Sequence, residues 1–484
     1  MKRRDFLKAV AIGAVSSALR ICPTHATSGD LPNVVLIMTD NHGPWTLGCY
    51  GNSEILTPNI DQLARDGMLF TRCFSSNAVC SPTRATYLTG LMPSQHGVHC
   101  YLRAKGAQIG PNAYNTIREF QSLPEILADF GYVCGLSGKW HLGDNVNPQE
   151  GFTYWITKPD GHTSTFYGAD IIENGQIRRQ PTYLTDFWTD HGIRFIEQNK
   201  HRLFFLFLAY NGPYGLGQSL QRRARNRHAA YYAEKELKSF PREPIHPWLH
   251  NNRQYVNNLT AIRRYAAEVS GIDDGVGRIL ETLDRLKLRQ NTLVIFTADQ
   301  GLCGGHHGMW GMGDHSRPLH TYDETCHIPL MFRHPAEIPA GERKDMMVSN
   351  YDLMPTVLSY LGFKDRIPKK PKLPGRDYSA ALRGRQMRWE NVIFYEFENS
   401  RMIRTPDWKY TCRFPDGPDE LYDMRNDPSE RENLIGQPKH AGIQKKLAKR
   451  LDAFFDHYAN PKYDLWRGGS SKTFLLTSQQ KPLR

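Results

Sequence analysis

Four uninterrupted apolar runs in this chain are each followed by polar residues, and this arrangement constrains the fold more than any other feature. Such runs are typical of strands that are buried on both faces of a parallel sheet. Helical patterns separate them, so we predict an α/β fold built on a large mixed, mostly parallel sheet flanked by helices. The predicted strands are Asn33–Thr39, Tyr132–Leu136, Leu203–Ala209 and Thr292–Thr297, and the predicted helices are Pro58–Asp66, Pro124–Phe130 and Ile262–Leu286.

A smaller unit is predicted from about Tyr378, where short strand patterns replace the long apolar runs. We place the catalytic domain at residues 27–377, and a C-terminal α+β subdomain with its tail at residues 378–484. The last ~20 residues are glycine- and serine-rich, which indicates loose structure. The predicted elements of the subdomain are an antiparallel sheet of Asn391–Phe397, Arg401–Arg404 and Trp408–Thr411, and the helix Ile443–Tyr458.

Residues 1–26 resemble a twin-arginine export signal. The run RRDFLK at residues 3–8 is followed by a short, weakly apolar stretch at 9–19 and a small-residue cleavage site at 24–26. The alternative is a basic amphipathic first helix. The signal implies the twin-arginine export machinery as a partner, and a periplasmic or extracellular location for a chain that is exported already folded.

Membrane insertion and a disulfide framework are both disfavoured. No apolar run reaches the ~18 residues that a membrane helix needs, so we expect no stable membrane insertion. The chain has nine cysteines and no C-x-x-C pair, which argues against a zinc ribbon. Folding before export takes place outside an oxidising compartment, which leaves room for at most one or two bridges formed later.

The chain carries 61 basic and 49 acidic residues, a net charge of +12. This excess favours polyanionic partners or serves solubility. The basic residues are scattered and no nucleic-acid-binding motif occurs, so we expect no nucleic acid partner. Residues 219–256 form a basic and aromatic insertion, which is either a solvated surface excursion or a wall for an anionic, sugar-based substrate. Its marked residues are Arg222, Arg223, Arg225, Arg227, Tyr231, Tyr232 and Trp248.

Polar clusters follow all four predicted strands at the point where each strand ends. Ligands in α/β sheets bind outside the carboxyl ends of strands, so we expect these clusters to converge on one site. Two of them offer only carboxylate and amide oxygens, hard ligands that select calcium or magnesium over zinc. For each Asp alone, a turn or a helix cap is the alternative. The clusters are Asp40–Asn41, Lys139–His141, Asn211–Tyr214 and Asp299–Gln300, and the predicted metal ligands are Asp40, Asn41, Asp299 and Gln300.

The stretch CSPTR, from Cys80 to Arg84, gives the strongest indication of a nucleophile. Cys80 precedes a predicted helix, and Pro82 suits the first turn of that helix. A side chain at this position faces free backbone N–H groups and the positive end of the helix dipole, which suits an anionic substrate and an activated thiol. Arg84 lies one turn further along and can reach the same pocket. The alternative is an ordinary buried cysteine.

This stretch is similar to the C-x-P-x-R signature of type I sulfatases, in the alkaline phosphatase superfamily. The runs GKWHLG at 138–143 and TADQG at 297–301 extend the resemblance, which covers the chain from about Pro32 to Tyr458. The resemblance implies calcium as the metal. It also implies that a formylglycine-generating enzyme oxidises Cys80 to formylglycine after translation.

The resemblance further implies a role for each matching residue. The hydrate of the modified Cys80 would attack the sulfur atom, and Arg84 would stabilise that hydrate. Lys139 would bind the sulfate and the nucleophile. His141 would act as the base that expels sulfate and restores the aldehyde. Lys139 and His141 share a face if their segment is extended, and they are otherwise surface loop residues.

Three positions depart from the family pattern. Asn41 stands where many members have an Asp, which lowers the charge of the metal site. Tyr214 stands where a His usually follows the Pro, and Met312 stands where a sulfate-binding Lys is usual. These two family residues contact sulfate and help to protonate the leaving oxygen. We predict that Tyr214, His315 and Arg317 bind the substrate in their place.

The sequence therefore predicts hydrolysis of sulfate esters, with a sulfated carbohydrate as the expected substrate. One alternative keeps the fold and the nucleophile but hydrolyses phosphodiesters or phosphonates. Another is a non-catalytic relative that binds sulfated glycans. The altered acid positions keep that reading open, and the intact Cys80, Arg84, Lys139 and His141 argue against it.

Overall fold

The computed structural model describes residues 31–103, 106–221 and 226–477. Within these ranges the first twelve strands are β1 (Asn33–Asp40), β2 (Met68–Phe74), β3 (Val133–Gly138), β4 (Phe152–Thr157), β5 (Tyr167–Glu173), β6 (Gln176–Tyr183), β7 (Phe204–Pro213), β8 (Thr292–Ala298), β9 (Cys303–Gly304), β10 (Trp310–Gly311), β11 (His327–Arg333) and β12 (Glu342–Ser349). Ten of them form the principal sheet, in the order β12-β2-β11-β8-β1-β7-β3-β4-β5-β6, and two short strands pair separately as β9-β10.

The predicted large mixed, mostly parallel sheet is confirmed. β1 runs parallel to its neighbours β7 and β8, and β3 runs parallel to β7 and β4. β11 is antiparallel to both of its neighbours, and β5 and β6 extend the far edge antiparallel. Every residue of β1, β7 and β8 is buried, as uninterrupted apolar runs require.

Helices cover the sheet, and the longest of them supports the edge where the polar clusters lie. The helices are α1 (Pro58–Arg65), α2 (Cys80–Thr89), α3 (Pro93–His96), α4 (Leu123–Asp129), α5 (Leu184–Asn199), α6 (Gln218–Gln221), α7 (Ala229–Tyr232), α8 (Leu259–Arg285), α9 (Asp323–Cys326), α10 (Leu353–Tyr360), α11 (Ser379–Leu382) and α12 (Ala441–Tyr458). Alternate residues of β1, Val35 and Ile37, belong to one buried apolar cluster with Trp188 of α5 and Ile272 of α8. The side chain of Asn258 caps the start of α8 by accepting from Ala261 N at 3.2 Å.

The small antiparallel sheet near the C-terminus is also confirmed. It consists of β13 (Ile393–Phe397), β14 (Ser400–Arg404), β15 (Trp408–Arg413) and β16 (Glu420–Asp423), in that order. Leu447, Leu451 and Phe455 of α12 pack in one apolar cluster with Ile403 and Leu421 of this sheet. Strand β16 was not predicted. The domain boundary at residue 377 stays a prediction.

The last residues that the structure describes have little regular structure, but buried polar groups hold them in place. The buried carboxylate of Glu398 accepts from Leu476 N and from Thr477 N, both at 2.9 Å. Arg401 donates to Asp464 at 2.6 Å. Charge-assisted hydrogen bonds to buried groups are strong, so the residues on both sides of the glycine–serine run are held in place.

The predicted export signal lies outside the described residues. Among the described residues no helix combines the length and the apolar character needed to span a bilayer. The eight cysteines from Cys49 to Cys412 are all free. Those residues therefore contain none of the late bridges that the sequence left open.

Candidate active site

The polar clusters at the four strand ends lie together. Thr39 of β1 is level with Ala298 of β8, so Asp40 and Asp299 leave the sheet side by side. Asp299 Oδ1 accepts from Asn41 N at 3.2 Å, which fixes the two turns to each other. The remaining two clusters follow the adjacent strands: Tyr214 N donates to Asp40 O at 3.0 Å, and Lys139 N donates to Ala209 O at 2.7 Å.

Three residues of these clusters adopt left-handed backbone. Asn41, His141 and Tyr214 have φ values of 58°, 61° and 58°. Asn and His adopt this conformation more readily than most residues, whereas it costs more for a Tyr. The left-handed backbone at His141 therefore interrupts the extended segment that the sequence suggested for Lys139–His141. Both side chains still reach the site: Lys139 contacts Asp40, and His141 lines the cavity.

Cys80 is the first residue of α2 and lies deep in the molecule, with 3% of its surface exposed. Its Sγ lies 3.6 Å from Asp40 Oδ1 and 3.2 Å from Gln300 Nε2. Burial, reinforced by the Asp40 carboxylate, raises the pKa of the Cys80 thiol. Burial therefore opposes ionisation of the unmodified thiol, and its activation by the helix start stays a prediction.

Two buried cations neutralise the two carboxylates of the site. Arg84 donates to Asp299 Oδ2 from both Nε (3.0 Å) and Nη2 (2.8 Å), and its Nη2 lies 3.3 Å from Asp40 Oδ2. Lys139 Nζ donates to the same Asp40 oxygen. Burial lowers the pKa of Lys139, but the nearby Asp40, Cys80 and Asp299 together outweigh burial and raise that pKa. Both cations therefore stay charged beside Cys80.

The four predicted metal ligands fit a hard cation. Asp40, Asn41, Asp299 and Gln300 are fully buried, and oxygen atoms of Asp40 and Asp299 lie within 4.8 Å of each other and of Cys80 Sγ. The acceptors Asn41 Oδ1, Cys80 Sγ and Met312 Sδ all surround the Gln300 carboxamide nitrogen. The carboxylate and amide oxygens of the four predicted ligands are the hard donors that a calcium ion requires, whereas the two sulfur atoms are not.

His141 is held in one tautomer. Its Nε2 donates to Leu102 O at 3.0 Å, which leaves the lone pair on Nδ1, a buried atom without a partner among the described residues. Burial, together with the nearby Lys139 charge, lowers the pKa of His141 well below its usual value. Gly161 packs against the ring so closely that a Cβ there would lie 2.1 Å from it. The result is a fixed, neutral base.

A cavity of about 640 Å³ opens above Cys80 and His141. Tyr214 and Met312, the two departures from the family pattern, both line it. Lys139 Nζ lies 5.5 Å from the centre of the Tyr214 ring, within cation–π range. Met312 lies on the cavity wall and, as a thioether, offers no charge to a substrate.

His315 lines the same cavity, whereas Arg317 does not reach it. His315 Nδ1 lies 2.9 Å from Asp314 Oδ1 and accepts from Met312 N at 3.1 Å. The Arg317 guanidinium donates to the carbonyls of Asp314 (2.8 Å) and Ser316 (2.7 Å). The structure thus brings His315 and Tyr214 to the cavity and directs Arg317 to the backbone of the loop.

The sequence from residue 32 to residue 363 matches the sulfatase family, and residues 308–456 match the C-terminal part of N-sulphoglucosamine sulphohydrolase. The first match covers more than half of the chain. The chain belongs to the sulfatase family. As a sulfatase it is a sulfuric ester hydrolase.

Other sulfatases are similar to it along most of their length. An N-acetylglucosamine-6-O-sulfatase of Bacteroides thetaiotaomicron is 25% identical over 87% of this chain and 86% of its own. The N-acetylgalactosamine-6-sulfatase of Mus musculus is 31% identical over 77% of this chain and 70% of its own. The crystal structure of the sulfatase yidJ from Bacteroides fragilis has a TM-score of 0.76 at 25% identity, covering 90% and 98% of the two chains.

Several residues around the sulfatase cavity were not singled out from the sequence. Tyr101 and His162 lie on one side of it, with ring centres 5.2 Å apart, and residues 250–254 of the insertion line another part. Tyr101 and His162 lie in segments without a periodic pattern. For the insertion at residues 219–256, the basic and aromatic composition had suggested a wall for the substrate. Of the arginines singled out in this insertion, Arg222, Arg223 and Arg225 lie outside the described residues. Arg227 forms an ion pair with Asp186 at 3.0 Å.

Proposed function

We propose that this sulfatase hydrolyses sulfate esters on a carbohydrate, through a formylglycine formed from Cys80 and with a bound calcium ion. The supporting observation is that Cys80, which lines a sugar-sized cavity, meets two buried cations and four oxygen-bearing side chains behind it. The names of the two relatives point to the 6-sulfate of an N-acetylated hexosamine as the first substrate to examine.

The charges of the site suit a sulfate ester. Arg84 and Lys139 already balance Asp40 and Asp299, so any added cation gives the site a positive excess for an anion. When bound, calcium and formylglycine would supply a Lewis acid and an oxygen nucleophile; Asp40, Asn41, Asp299 and Gln300 would hold the calcium. Arg84 keeps the carboxylates in place, and Lys139 directs its ammonium group toward the sulfate.

His141 and His315 divide the proton transfers. His141 Nδ1 has the free lone pair and accepts a proton from the nucleophile side of the site. His315, beside the Asp314 carboxylate, donates a proton to the leaving oxygen in place of the family His and Lys. Tyr214 packs against the substrate, and Arg317 braces the loop that carries His315.

The twin-arginine signal and the buried position of Cys80 suggest an order of events before activity. A formylglycine-generating enzyme acts on Cys80 while the chain is still open, because the folded chain leaves only 3% of that residue exposed. The folded protein then leaves by the twin-arginine route and works in the periplasm or outside the cell.

The decisive experiment is the mass of the tryptic peptide from Cys73 to Arg84, from protein made together with a formylglycine-generating enzyme. We expect Cys80 as the aldehyde, calcium-dependent release of sulfate, and loss of that release in Cys80→Ala. A known sulfatase converted in the same cells is the control. An unmodified Cys80 beside a converted control would refute the formylglycine mechanism.

A panel of esters tests the reaction itself. We expect turnover of 6-sulfated N-acetylhexosamines and little turnover of a phosphodiester or a phosphonate. Preference for the phosphorus esters would favour the alternative hydrolase. Binding of sulfated glycans without turnover, equally strong in Cys80→Ser, would favour the non-catalytic reading.

A further inference from the structure

The insertion wall, residues 248–255, is fixed to the loop that carries His315. His315 O accepts from His250 N at 2.8 Å and from Asn251 N at 3.3 Å, and Leu249 forms an antiparallel bridge with Ser316. Leu249 and Tyr255 are buried, and Tyr255 OH donates to Gly217 O at 2.6 Å. The wall therefore has a set position relative to the reacting groups.

Arg253 is the only Arg or Lys among the described residues that line the cavity. Its guanidinium makes one long hydrogen bond, 3.4 Å to Leu249 O, and has no carboxylate within 4 Å in the described part of the chain. By contrast, Arg227 of the same insertion is paired with Asp186 at 3.0 Å and with Asp274 at 3.3 Å. Arg253 thus presents an unpaired charge.

The cavity offers little negative charge against this cation. Asp314 is the one carboxylate among the described lining residues, and it lies beside His315. Cys80 is buried and Arg253 is exposed, which puts the nucleophile at the base and Arg253 near the mouth. A cavity of about 640 Å³ holds more than one sulfate group, so a sugar would extend from Cys80 toward Arg253.

We propose that Arg253 forms a second anionic subsite, which binds a carboxylate or a second sulfate on the glycan outside the ester being cleaved. A planar guanidinium binds either anion through two parallel hydrogen bonds. This subsite rests on the proposed function, and it narrows the substrate to a glycan with at least two anionic groups.

The test compares three disaccharides that share one sulfated hexosamine and differ in the neighbouring sugar: a neutral hexose, a uronate or a hexose with a second sulfate. We expect the wild-type kcat/KM to be about tenfold or more higher for one anionic neighbour than for the neutral one. Whichever neighbour is preferred identifies the anion.

Arg253→Ala should bring the ratio of kcat/KM for the anionic neighbour to kcat/KM for the neutral one to within about twofold of unity. Arg253→Lys should give an intermediate ratio, since lysine keeps the charge but lacks the two parallel donors of the guanidinium. Arg227→Ala, in the same insertion but already paired with acids, should keep the wild-type ratio. A wild-type enzyme that cleaves all three equally, or an Arg253→Ala ratio equal to wild type, would overturn the subsite alone. Failure to cleave any sulfate ester would overturn the proposed function as well.

Discussion

At the scale of single residues, His315 is the side chain whose role is most open to measurement. It lies beside Asp314 on the cavity wall, next to Met312, where the family has a Lys. Sugar sulfates have poor leaving groups and need a proton, whereas aryl sulfates need little help. The replacement of the family acids therefore concerns the leaving group more than the nucleophile.

We expect His315→Ala to lower kcat on a sugar sulfate by about 10²-fold or more, and on an aryl sulfate by less than about tenfold. Steady-state rates on both substrates measure the difference. His201→Ala should leave both rates unchanged, because this exposed histidine precedes the amino end of β7, whereas Tyr214 follows its carboxyl end. Equal losses on the two substrates would show that His315 is not the acid.

The site residues differ in how far the sequence could reveal them. Cys80, Arg84 and the strand-end Asp40 and Asp299 follow from motif and position, because backbone topology alone brings strand ends together. Gly161 could not be predicted, since its importance lies in a contact with the His141 ring that only the tertiary fold creates. The raised pKa of Cys80 likewise depends on burial that no local pattern encodes.

At the scale of elements, α8 links the core to the site. Tyr265 OH donates to Asn41 O at 2.7 Å, and Asp273 accepts from Ile60 N at 2.8 Å at the start of α1. Between them, Glu268 is buried and accepts from Tyr183 OH at 2.5 Å. Burial raises the pKa of Glu268 to about 8, so its carboxyl group is neutral in the folded protein at neutral pH.

This carboxyl group should make the folded state less stable as the pH rises. The unfolded chain ionises Glu268 near its ordinary pKa of 4.5, so it binds fewer protons than the folded chain between that value and about 8, and stability falls across this window. Glu268→Gln keeps an acceptor for Tyr183 and removes the titration. We expect its melting temperature to fall less than that of wild type between pH 5 and pH 9, by about 2–4 °C.

Scanning calorimetry at one scan rate measures this difference, and Glu281→Gln, an exposed position on the same helix, provides the control. A Glu268→Gln variant whose melting temperature falls as much as that of wild type would contradict the expected titration. Such a result would mean that Glu268 is ionised in the folded protein.

The elements themselves were predictable where burial is complete. β1, β7 and β8 are buried along their whole length, and their apolar runs predicted them within a few residues. β6 was not predicted, since it lies at the edge of the sheet and most of its residues are exposed and polar. An edge strand takes its conformation from its neighbour, and its own sequence then carries little periodicity.

At the scale of the whole molecule, the C-terminal tail fastens the segment 97–103 beside the cavity. Cys100 N donates to Thr473 Oγ1 at 3.0 Å, and the rings of Phe474 and Tyr101 lie 4.9 Å apart. Leu102 of this segment accepts from His141 Nε2 and donates to Ser81 Oγ at 3.1 Å. The C-terminal tail therefore holds segment 97–103 in place, and this segment in turn orients His141 through the Leu102 carbonyl.

We expect Phe474→Ala to lower kcat by about three- to tenfold with a small change in KM, because a displaced Leu102 carbonyl misorients His141. Phe414→Ala is the matched control: that ring is exposed, and it stacks on Trp466 with ring centres 5.5 Å apart. Kinetics and melting temperatures measured together separate positioning from stability. A kcat for Phe474→Ala equal to that of the control would refute the support role.

The contact between Cys100 and Thr473 joins residues 373 positions apart. At a synthesis rate of about 5–20 residues per second, the ribosome delivers the second of them on the order of 20–75 s after the first. The wall beside Cys80 is thus completed only after the C-terminal tail has been synthesised. If Cys80 is converted during synthesis, as proposed above, the length of the chain sets how long this residue remains without that wall.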